Sequence, residues 1–285
     1  MTPDSRSSAP PFWQRLPLAI GGAVRSAISG VFDAIVYVGG LTGLLGGVAD
    51  RSGRALVNRS ARIRLQTISQ QCFRFGVRSI PIVMLVQVFI GIILALNLAP
   101  TLELYGQLEQ TATVVAIAVF RELGPLITAI LLSGFAGASI AAELGAMVEG
   151  EEIKALRAHA LDPIRFLVVP RVVSTAFMMI GLTILADVVG VIGGFLTGVY
   201  VLGIGPQVYI DLTAEAVGLG DYLTGLSKSI VFGAIIAALA CYEGLHVRGG
   251  AEGVGRATTT TVVKSIVMLI GADCIFTAVF YVLEW

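Results

Sequence analysis

The stretch that decides the fold runs from Phe120 to Ser174 and reads FRELGPLITAILLSGFAGASIAAELGAMVEGEEIKALRAHALDPIRFLVVPRVVS. Its first half is apolar except for an Arg-Glu pair followed by Gly and Pro, its middle is polar, and its end is apolar again. This order predicts a membrane-spanning helix, a short polar segment at the membrane surface, and the start of another span.

The composition of the whole chain agrees with a membrane setting. Of 285 residues, 56% are hydrophobic and 13% are charged, and the mean hydropathy is +0.88, whereas soluble domains have about 25% charged residues. We therefore expect one all-α polytopic membrane domain. The net charge is zero, and no Lys/Arg cluster is interleaved with aromatic residues, which argues against a nucleic-acid partner.

Apolar stretches long enough to span a bilayer recur along the chain. We predict five spans, and they are Val77–Ala99, Ala112–Ala142, Phe166–Tyr200, Leu226–Leu245 and Val262–Leu283. The second and third are long and contain Pro125 and Pro170, which favour a bend. Dividing the third into two spans would give six, which is the rival topology.

The positions of the basic residues decide between five and six spans. With five spans, seventeen of the 19 Lys and Arg residues fall on one side of the membrane, while the opposite loops, 100–111 and 203–225, carry only acidic charges. Cytoplasmic loops are enriched in Lys and Arg. Five spans with a cytoplasmic N-terminus and a periplasmic C-terminus satisfy this rule, and six spans would place Arg248 and Arg256 outside.

The N-terminal part is divided from the membrane domain by its composition. Residues 1–27 are polar and Pro-rich, without the apolar core of a secretory signal, and are expected to form a cytoplasmic lead-in. Residues 28–76 contain a Gly-rich apolar stretch, Ile28–Ala49, followed by an Arg-rich segment. An interfacial helix is expected there, a spanning helix being the alternative. Residues 77–285 form the transmembrane domain.

The polar insertion between the second and third spans has the pattern of a short amphipathic helix. Glu151 and Glu152 suit its N-terminus and Arg157 its C-terminus, because these charges complement the helix dipole. Asp162-Pro163 can cap and open the next helix. Two interpretations stay open. The helix could lie on the lipid surface, or it could bind a soluble protein and transmit that protein's movement to the membrane domain.

Arg121 and Glu122 place two charges within the predicted second span. Such charges cost about 2.5 to 3.5 kcal/mol on insertion scales and are seldom without a partner or a polar cavity. Successive helix residues point in different directions, so the two are expected to meet other spans, where three carboxylates are available, those of Asp187, Glu243 and Asp273. A purely structural ion pair is the alternative.

Small residues recur at every fourth position in two spans, which lets membrane helices approach closely. They are Ser133, Gly137, Ala141 and Gly145 in the second span, and Gly190, Gly194 and Gly198 in the third. Packing within the chain is the simpler interpretation, and a dimer contact is the other.

Catalytic and metal chemistry find little support in the residues. The Gly-rich loop from His246 to Thr258 lacks the Lys-Ser/Thr ending of a Walker A loop, since Arg256-Ala257 follows Gly255. We expect no catalytic residue, no metal site and no nucleotide hydrolysis in this chain. Cys72, Cys241 and Cys274 lie in or beside apolar stretches and are interpreted as small hydrophobic residues.

The segment from Phe120 to Ser174, together with ADVVGVIGG, KSIVFG, CYEGL and GGAEGVGRATTTTVV further along, resembles the MlaE/YrbE permease family from about Val77 to the C-terminus. Those proteins are inner-membrane subunits of ABC transporters that move phospholipids or related lipids between the inner membrane and the outer envelope. The resemblance implies a separate ATPase subunit that binds ATP and Mg, a periplasmic MCE-domain protein and a second permease copy.

The resemblance also implies the site residues. The helix from Glu151 to His159 would be the coupling helix, contacting the ATPase through Glu151, Glu152, Ile153, Leu156 and Arg157. A lipid pocket would be lined by Leu94, Leu102, Tyr105, Arg121, Glu122 and Leu123. Members often have Gly-Arg where Gly134-Phe135 stands, and an acidic residue where Lys154 stands, so head-group preference and ATPase pairing are expected to differ here.

Two functions from other classes remain as alternatives. An ion-coupled secondary transporter would use Asp187, Glu243 and Asp273 as ion sites and need no ATPase. A membrane scaffold without transport activity would tolerate changes at all of these residues.

Overall fold

The computed structural model describes residues 36–48, 50–51 and 65–282. Five helices among these residues are long and apolar enough to cross a membrane, so the predicted all-α fold with five spans is confirmed. The chain separates into an N-terminal unit ending at Gly46 and a large unit from Gly47 to Trp285. The candidate site lies entirely in the large unit.

The five spans are joined by short turns and two shorter helices, and a third short helix lies before the first span. The spans are the first (Ile68–Leu104), second (Leu108–Glu149), third (Ile164–Tyr200), fourth (Leu219–Leu245) and fifth (Gly250–Val282). The shorter helices are α1 (Val36–Val48), α2 (Glu152–Ala158) and α3 (Pro206–Ala216). Every span exceeds the roughly 20 residues that cross the hydrocarbon. The spans therefore tilt or extend beyond it.

We name the two membrane surfaces by their charge. The basic face is the side on which α2 and the turn at Gly249-Gly250 lie. The acidic face is the side on which α3 and the turn between the first two spans lie. Whether the basic face is cytoplasmic stays a prediction.

Wide π-helical turns interrupt three spans. The first span includes the end of the α-helix Leu65–Gln71 and all of the α-helix Ile80–Leu104, with a π turn (Cys72–Gly76) and a 3-10 turn (Val77–Ser79) between them. The second span begins with the 3-10 turn Leu108–Gln110 and contains Thr111–Ala118, Gly124–Leu132 and Ala138–Glu149, separated by π turns at Val119–Leu123 and Ser133–Gly137. The third begins with a π turn, Ile164–Val168, before Val169–Tyr200.

Two of these π turns end just before a proline, at Pro125 and Pro170. Proline donates no backbone hydrogen bond, and its ring clashes with the carbonyl one turn earlier. A wider turn accommodates both defects. The sequence predicted irregularity at these two prolines, and the π turns are the form it takes.

The fourth span is the centre of the bundle. In its most apolar stretch of 18 residues, 61% is buried inside the protein, whereas the corresponding value for the fifth span is 11%. The first and third spans touch through their backbones, because a Cβ atom at Gly91 would overlap the carbonyl oxygen of Gly190. The predicted small residues also face neighbours within the chain, with Gly194 against Val115 and Gly137 against Ile236. Packing within the chain accounts for these positions.

Several predicted boundaries were wrong. The first span begins at Ile68, the fourth at Leu219 and the fifth at Gly250, and α3 occupies a segment predicted as loop. The Gly-rich segment after Gly250 looked like a loop because each Gly lowers helix stability by about 1 kcal/mol relative to Ala. The segment is nevertheless helical from Gly250, and at Gly253 a Cβ atom would overlap the carbonyl of Arg248.

The N-terminal expectations fall largely outside the described residues. Of the stretch Ile28–Ala49, the structure describes the helix α1, and residues 1–35 and Ala49 lie outside the described part. The lead-in at residues 1–27 and the interfacial placement of 28–49 stay predictions.

Candidate functional site

Arg121 and Glu122 lie in the π turn Val119–Leu123 of the second span and contact different partners. The Arg121 guanidinium forms a long ion pair with Asp221, with 3.5 Å between Nη1 and Oδ1. The Glu122 carboxylate lies 2.6 Å from the ammonium of Lys228. Both partners belong to the fourth span, so the two charges meet another span, as predicted.

Lys228 is the centre of a polar cluster inside the bundle, which we call the Lys228 cluster and define as Glu122, Lys228, Asp273 and Thr277. The Lys228 side chain is fully buried, and its ammonium donates to Glu122 at 2.6 Å and to Thr277 Oγ1 at 3.1 Å. Asp273 Oδ1 lies 2.9 Å from the ammonium as an ion pair without the alignment of a hydrogen bond. The Thr277 hydroxyl donates to Glu122 at 3.1 Å.

These contacts join the second, fourth and fifth spans at one point. A charge buried without a partner is strongly unfavourable, whereas a hydrogen-bonded pair offsets much of the cost of leaving water. Each charge of the Lys228 cluster therefore depends on the others. The cluster is a polar cross-link between three spans of the bundle.

The three carboxylates expected as partners have different surroundings. Asp273 shares the ammonium of Lys228 with Glu122. Glu243 pairs instead with Lys264 at 2.7 Å, and Asp187 lies against the backbone of Gly124. Lys228 itself was missed, although a lysine inside an apolar span, in the segment KSIVFG, signals a buried partner.

The residues expected to line a lipid pocket lie along the halves of the first two spans nearer the acidic face. Leu94 packs on the buried cluster of Ala95, Val115 and Val119. Leu102 is half-buried, and Tyr105 is 76% exposed where the first span ends. Leu123 is half-buried, like Arg121 and Glu122. Whether these residues form one pocket stays a prediction.

The helix α2 lies between the second and third spans, as predicted. Four of the five residues expected to contact an ATPase reach its surface, since Glu151, Glu152 and Arg157 are exposed and Leu156 is half-buried. Ile153 is only 6% exposed, which fits an anchoring role rather than a direct contact. A groove of about 360 Å³ runs beside the helix and is lined by Met147, Glu152, Ala155, Leu156, His159, Phe166 and Leu167.

The chain reverses into α2 through an unusual backbone conformation. Glu151 has a φ of 58°, in the left-handed region that non-glycine residues seldom adopt. Its carboxylate accepts a hydrogen bond of 2.6 Å from Lys154, and this bond lowers the pKa of Glu151. A solvent-exposed ion pair thus lies at the first turn of α2.

The loop after α2 is tied to the segment before the first span. Arg51 Nε donates to Asp162 Oδ2 at 2.6 Å, and Asp162 Oδ1 accepts the amide of Ile164 at 3.0 Å. Partial burial acts to raise the pKa of Asp162, but these bonds outweigh it and lower the pKa. The predicted capping by Asp162 is confirmed.

A second charged cluster fixes the spans near the basic face. Glu143 of the second span lies 3.1 Å from Arg74 of the first and 3.2 Å from Arg171 of the third. Arg171 is buried and also donates to the carbonyl of Leu167 at 2.8 Å. The body that carries α2 is thus fixed by charge pairs among three spans.

The fold and the site together define a polytopic helical membrane protein with ion pairs inside its bundle and a short helix presented on one face. The chain belongs to the MlaE permease family, whose profile, described as Permease MlaE, matches residues 68–279.

Individual relatives agree with this membership. A probable ABC transporter permease protein of Rickettsia typhi is 37% identical over 217 residues, which are 76% of this chain and 84% of the relative. The intermembrane phospholipid transport system permease protein MlaE of Haemophilus influenzae is 32% identical over 74% of this chain and 82% of its own. The chloroplastic protein TRIGALACTOSYLDIACYLGLYCEROL 1 of Arabidopsis thaliana is 34% identical over 77% of this chain and 63% of its own.

Proposed function

We propose that this chain is the membrane subunit of an ABC transporter that moves phospholipids or related lipids between the inner membrane and the outer envelope. A separate ATPase subunit supplies the energy, an MCE-domain protein accepts or delivers the lipid, and a second permease copy completes the membrane domain. Intermembrane phospholipid transport is what the name of the Haemophilus relative states of that protein, and an ABC transporter is what the name of the Rickettsia relative states.

The observation that carries the proposal is the position of Arg121 in an apolar bundle. Its side chain is 31% exposed, and it lies about a third of the way along the second span, counted from the end at the acidic face. A guanidinium binds phosphate through charge-assisted hydrogen bonds. Arg121 therefore suits the head group of a lipid whose acyl chains lie against neighbouring apolar surface.

The first span carries exposed apolar side chains that suit contact with lipid acyl chains. Phe89, Ile93 and Leu96 follow one another at helical spacing and are 51%, 51% and 44% exposed. This stripe supports contact with acyl chains or with a second permease copy.

The energy-coupling part of the proposal depends on α2. The helix presents charged residues and a half-buried leucine beside an apolar groove, and it follows the second span, which carries Arg121. We propose that a movement of the bound ATPase shifts α2, and that the second span transmits this shift to Arg121.

The structure favours neither alternative function. Two of the three carboxylates that an ion-coupled transporter would use, Glu243 and Asp273, are paired with lysines. A carboxylate already paired with an ammonium is a poor site for a transported cation.

The charge of Arg121 provides the test. In a reconstituted complex, Arg121→Gln should lower lipid transport by about tenfold or more, because a charge-assisted hydrogen bond contributes about 1.5 to 3 kcal/mol. The complex should still assemble. Glu103→Gln, which removes an exposed charge near the acidic face, is the control. Unchanged transport by Arg121→Gln would rule out a head-group role for this residue.

A further inference from the structure

Asp187 is a carboxylic residue inside the membrane that the Lys228 cluster does not use. It lies in the third span and is 1% exposed. Its Oδ1 atom rests against the second span at Gly124, where a Cβ atom would overlap it. The amide of Gly124 already donates to the carbonyl of Val119, and Pro125 has no amide hydrogen. The second span therefore offers no backbone donor to Asp187 here.

The packing register places neutral polar side chains within about one helical turn of Asp187. Along the antiparallel second and third spans, Gly194 faces Val115, Gly190 faces Val119, and Asp187 faces Gly124. One further turn along this register brings Thr183 level with Thr128. From the first span, Gln87 packs against Gly190. The side chains of Gln87, Thr128 and Thr183 are buried, and their polar atoms have no hydrogen-bond partner among the described residues.

No positive charge in the described part of the chain pairs with Asp187. On the second span, Arg121 contacts Asp221 and Glu122 contacts Lys228. On the fourth span, Asp221 contacts Arg121, and Lys228 contacts Glu122. The first span carries no charged residue between Arg78 and Glu103, which includes the turns that face Asp187.

The surroundings of Asp187 are also dry. Its Oδ1 atom has almost no surface that a water molecule could touch, and it accepts no hydrogen bond from any residue that the structure describes. An ionised carboxylate without water, a donor or a cation is strongly unfavourable, and such a group is neutral instead.

We propose that Asp187 is a proton-binding site, and that the packed first, second and third spans hold its carboxyl group as the neutral acid. When the second and third spans separate at Gly124, water reaches the carboxyl group, its O–H bond breaks, and the proton passes to water and leaves a carboxylate. Repacking requires the proton to return. The proton is thus a ligand of the packed arrangement, whatever cargo the permease carries.

The sign of the pH dependence follows from this assignment. An aspartate in the unfolded chain releases its proton at mildly acidic pH. The packed state holds the carboxyl group of Asp187 as the neutral acid, so above mildly acidic pH it binds more protons than the unfolded state. The contribution of Asp187 to the free energy of unfolding therefore falls as the pH rises. Asparagine mimics the neutral acid in shape and charge, so Asp187→Asn should remove this part of the pH dependence.

Thermal unfolding of the full chain in lipid nanodiscs tests the proposal. From mildly acidic to mildly alkaline pH, the wild-type Tm should fall relative to that of Asp187→Asn, with a difference of about 3 °C or more at the alkaline end. Asp211→Asn, which removes an exposed carboxylate on α3, should follow the wild type. Parallel curves for wild type and Asp187→Asn would overturn the proposal.

Infrared spectroscopy of protein labelled at its aspartate side chains gives a second readout. At neutral pH, wild type and Asp211→Asn should show the carbonyl stretch of a protonated acid, and Asp187→Asn should lack it. If Asp187→Asn does not fold, Asp187→Ser supplies the same spectral comparison. Absence of a protonated-acid band from the wild type, or its persistence without Asp187, would contradict the proposal.

Discussion

Lys228 shows how a single residue organises the interior of the bundle. Its ammonium contacts the carboxylates of Glu122 and Asp273, which belong to different spans. Removing one partner of a buried ion pair leaves the other charge unpaired, and this costs about 3 to 5 kcal/mol. The Lys228 cluster therefore specifies which helices meet, and it does so next to Arg121, the proposed head-group ligand.

We predict that Lys228→Met lowers the free energy of unfolding by about 3 to 5 kcal/mol, because Glu122 and Asp273 lose their common cation. Denaturant titration of the purified protein in detergent measures this loss. Lys154→Met is the matched control, since the side chains of Lys154 and its partner Glu151 are 75% and 71% exposed and the removal should cost about 1 kcal/mol or less. Equal losses for the two variants would show that the Lys228 cluster is not a stabilising cross-link.

The sequence was informative about single charges but not about their pairing. A charge within an apolar span is visible in the sequence, and Arg121 and Glu122 were predicted to reach other spans for this reason. Lys228 lies 106 residues from Glu122, and only the packing of the helices brings them together. Periodicity shows which face of a helix is apolar, but it does not show which two faces meet.

At the scale of elements, the second span combines irregular turns with close contacts. Its π turn at Val119–Leu123 turns Arg121 and Glu122 toward the fourth span. Pro125 made an irregular helix predictable at this point. The left-handed conformation of Glu151 before α2 was not predictable, because glycine usually adopts this conformation and the adjacent residue is Gly150. The helix α3 was missed because polar residues and flanking glycines are typical of loops.

The contact between the first and third spans depends on glycine. We predict that Gly91→Ala costs about 1 to 3 kcal/mol of stability, because the new methyl group would overlap the backbone of Gly190. Gly181→Ala, with open space at the Cβ position in the third span, should leave stability unchanged or raise it by up to about 1 kcal/mol. Thermal unfolding of both variants in the same lipid makes the comparison. A neutral Gly91→Ala would contradict the close backbone contact.

The helix α2 provides a prediction about assembly. Leu156→Asp should abolish co-purification of the ATPase subunit, because a buried, unpaired carboxylate would replace an apolar contact beside the groove. Leu219→Asp changes a leucine that is 75% exposed where the fourth span begins, near the acidic face, and should leave co-purification intact. Retained binding by Leu156→Asp would remove α2 from the ATPase interface.

For the whole molecule, charge and hydropathy predicted the architecture better than the details. The number of spans followed from apolar length and from the one-sided distribution of Lys and Arg, and both are properties of the sequence alone. The ends of the spans were missed because helices continue past the hydrocarbon with polar residues, as in the first turns of the fifth span from Gly250 onward. The same asymmetry places α2 on the basic face, where a soluble ATPase is proposed to bind.

The most direct test of the central claim is lipid transfer by the reconstituted complex of this permease, its ATPase and its MCE-domain partner. We predict that a labelled phospholipid moves between the proteoliposome membrane and the MCE-domain protein only with ATP and an active ATPase, and that an inactive ATPase or an ion gradient alone gives no transfer. Transfer driven by an ion gradient without the ATPase, or no ATP-dependent transfer in the assembled complex, would contradict the account.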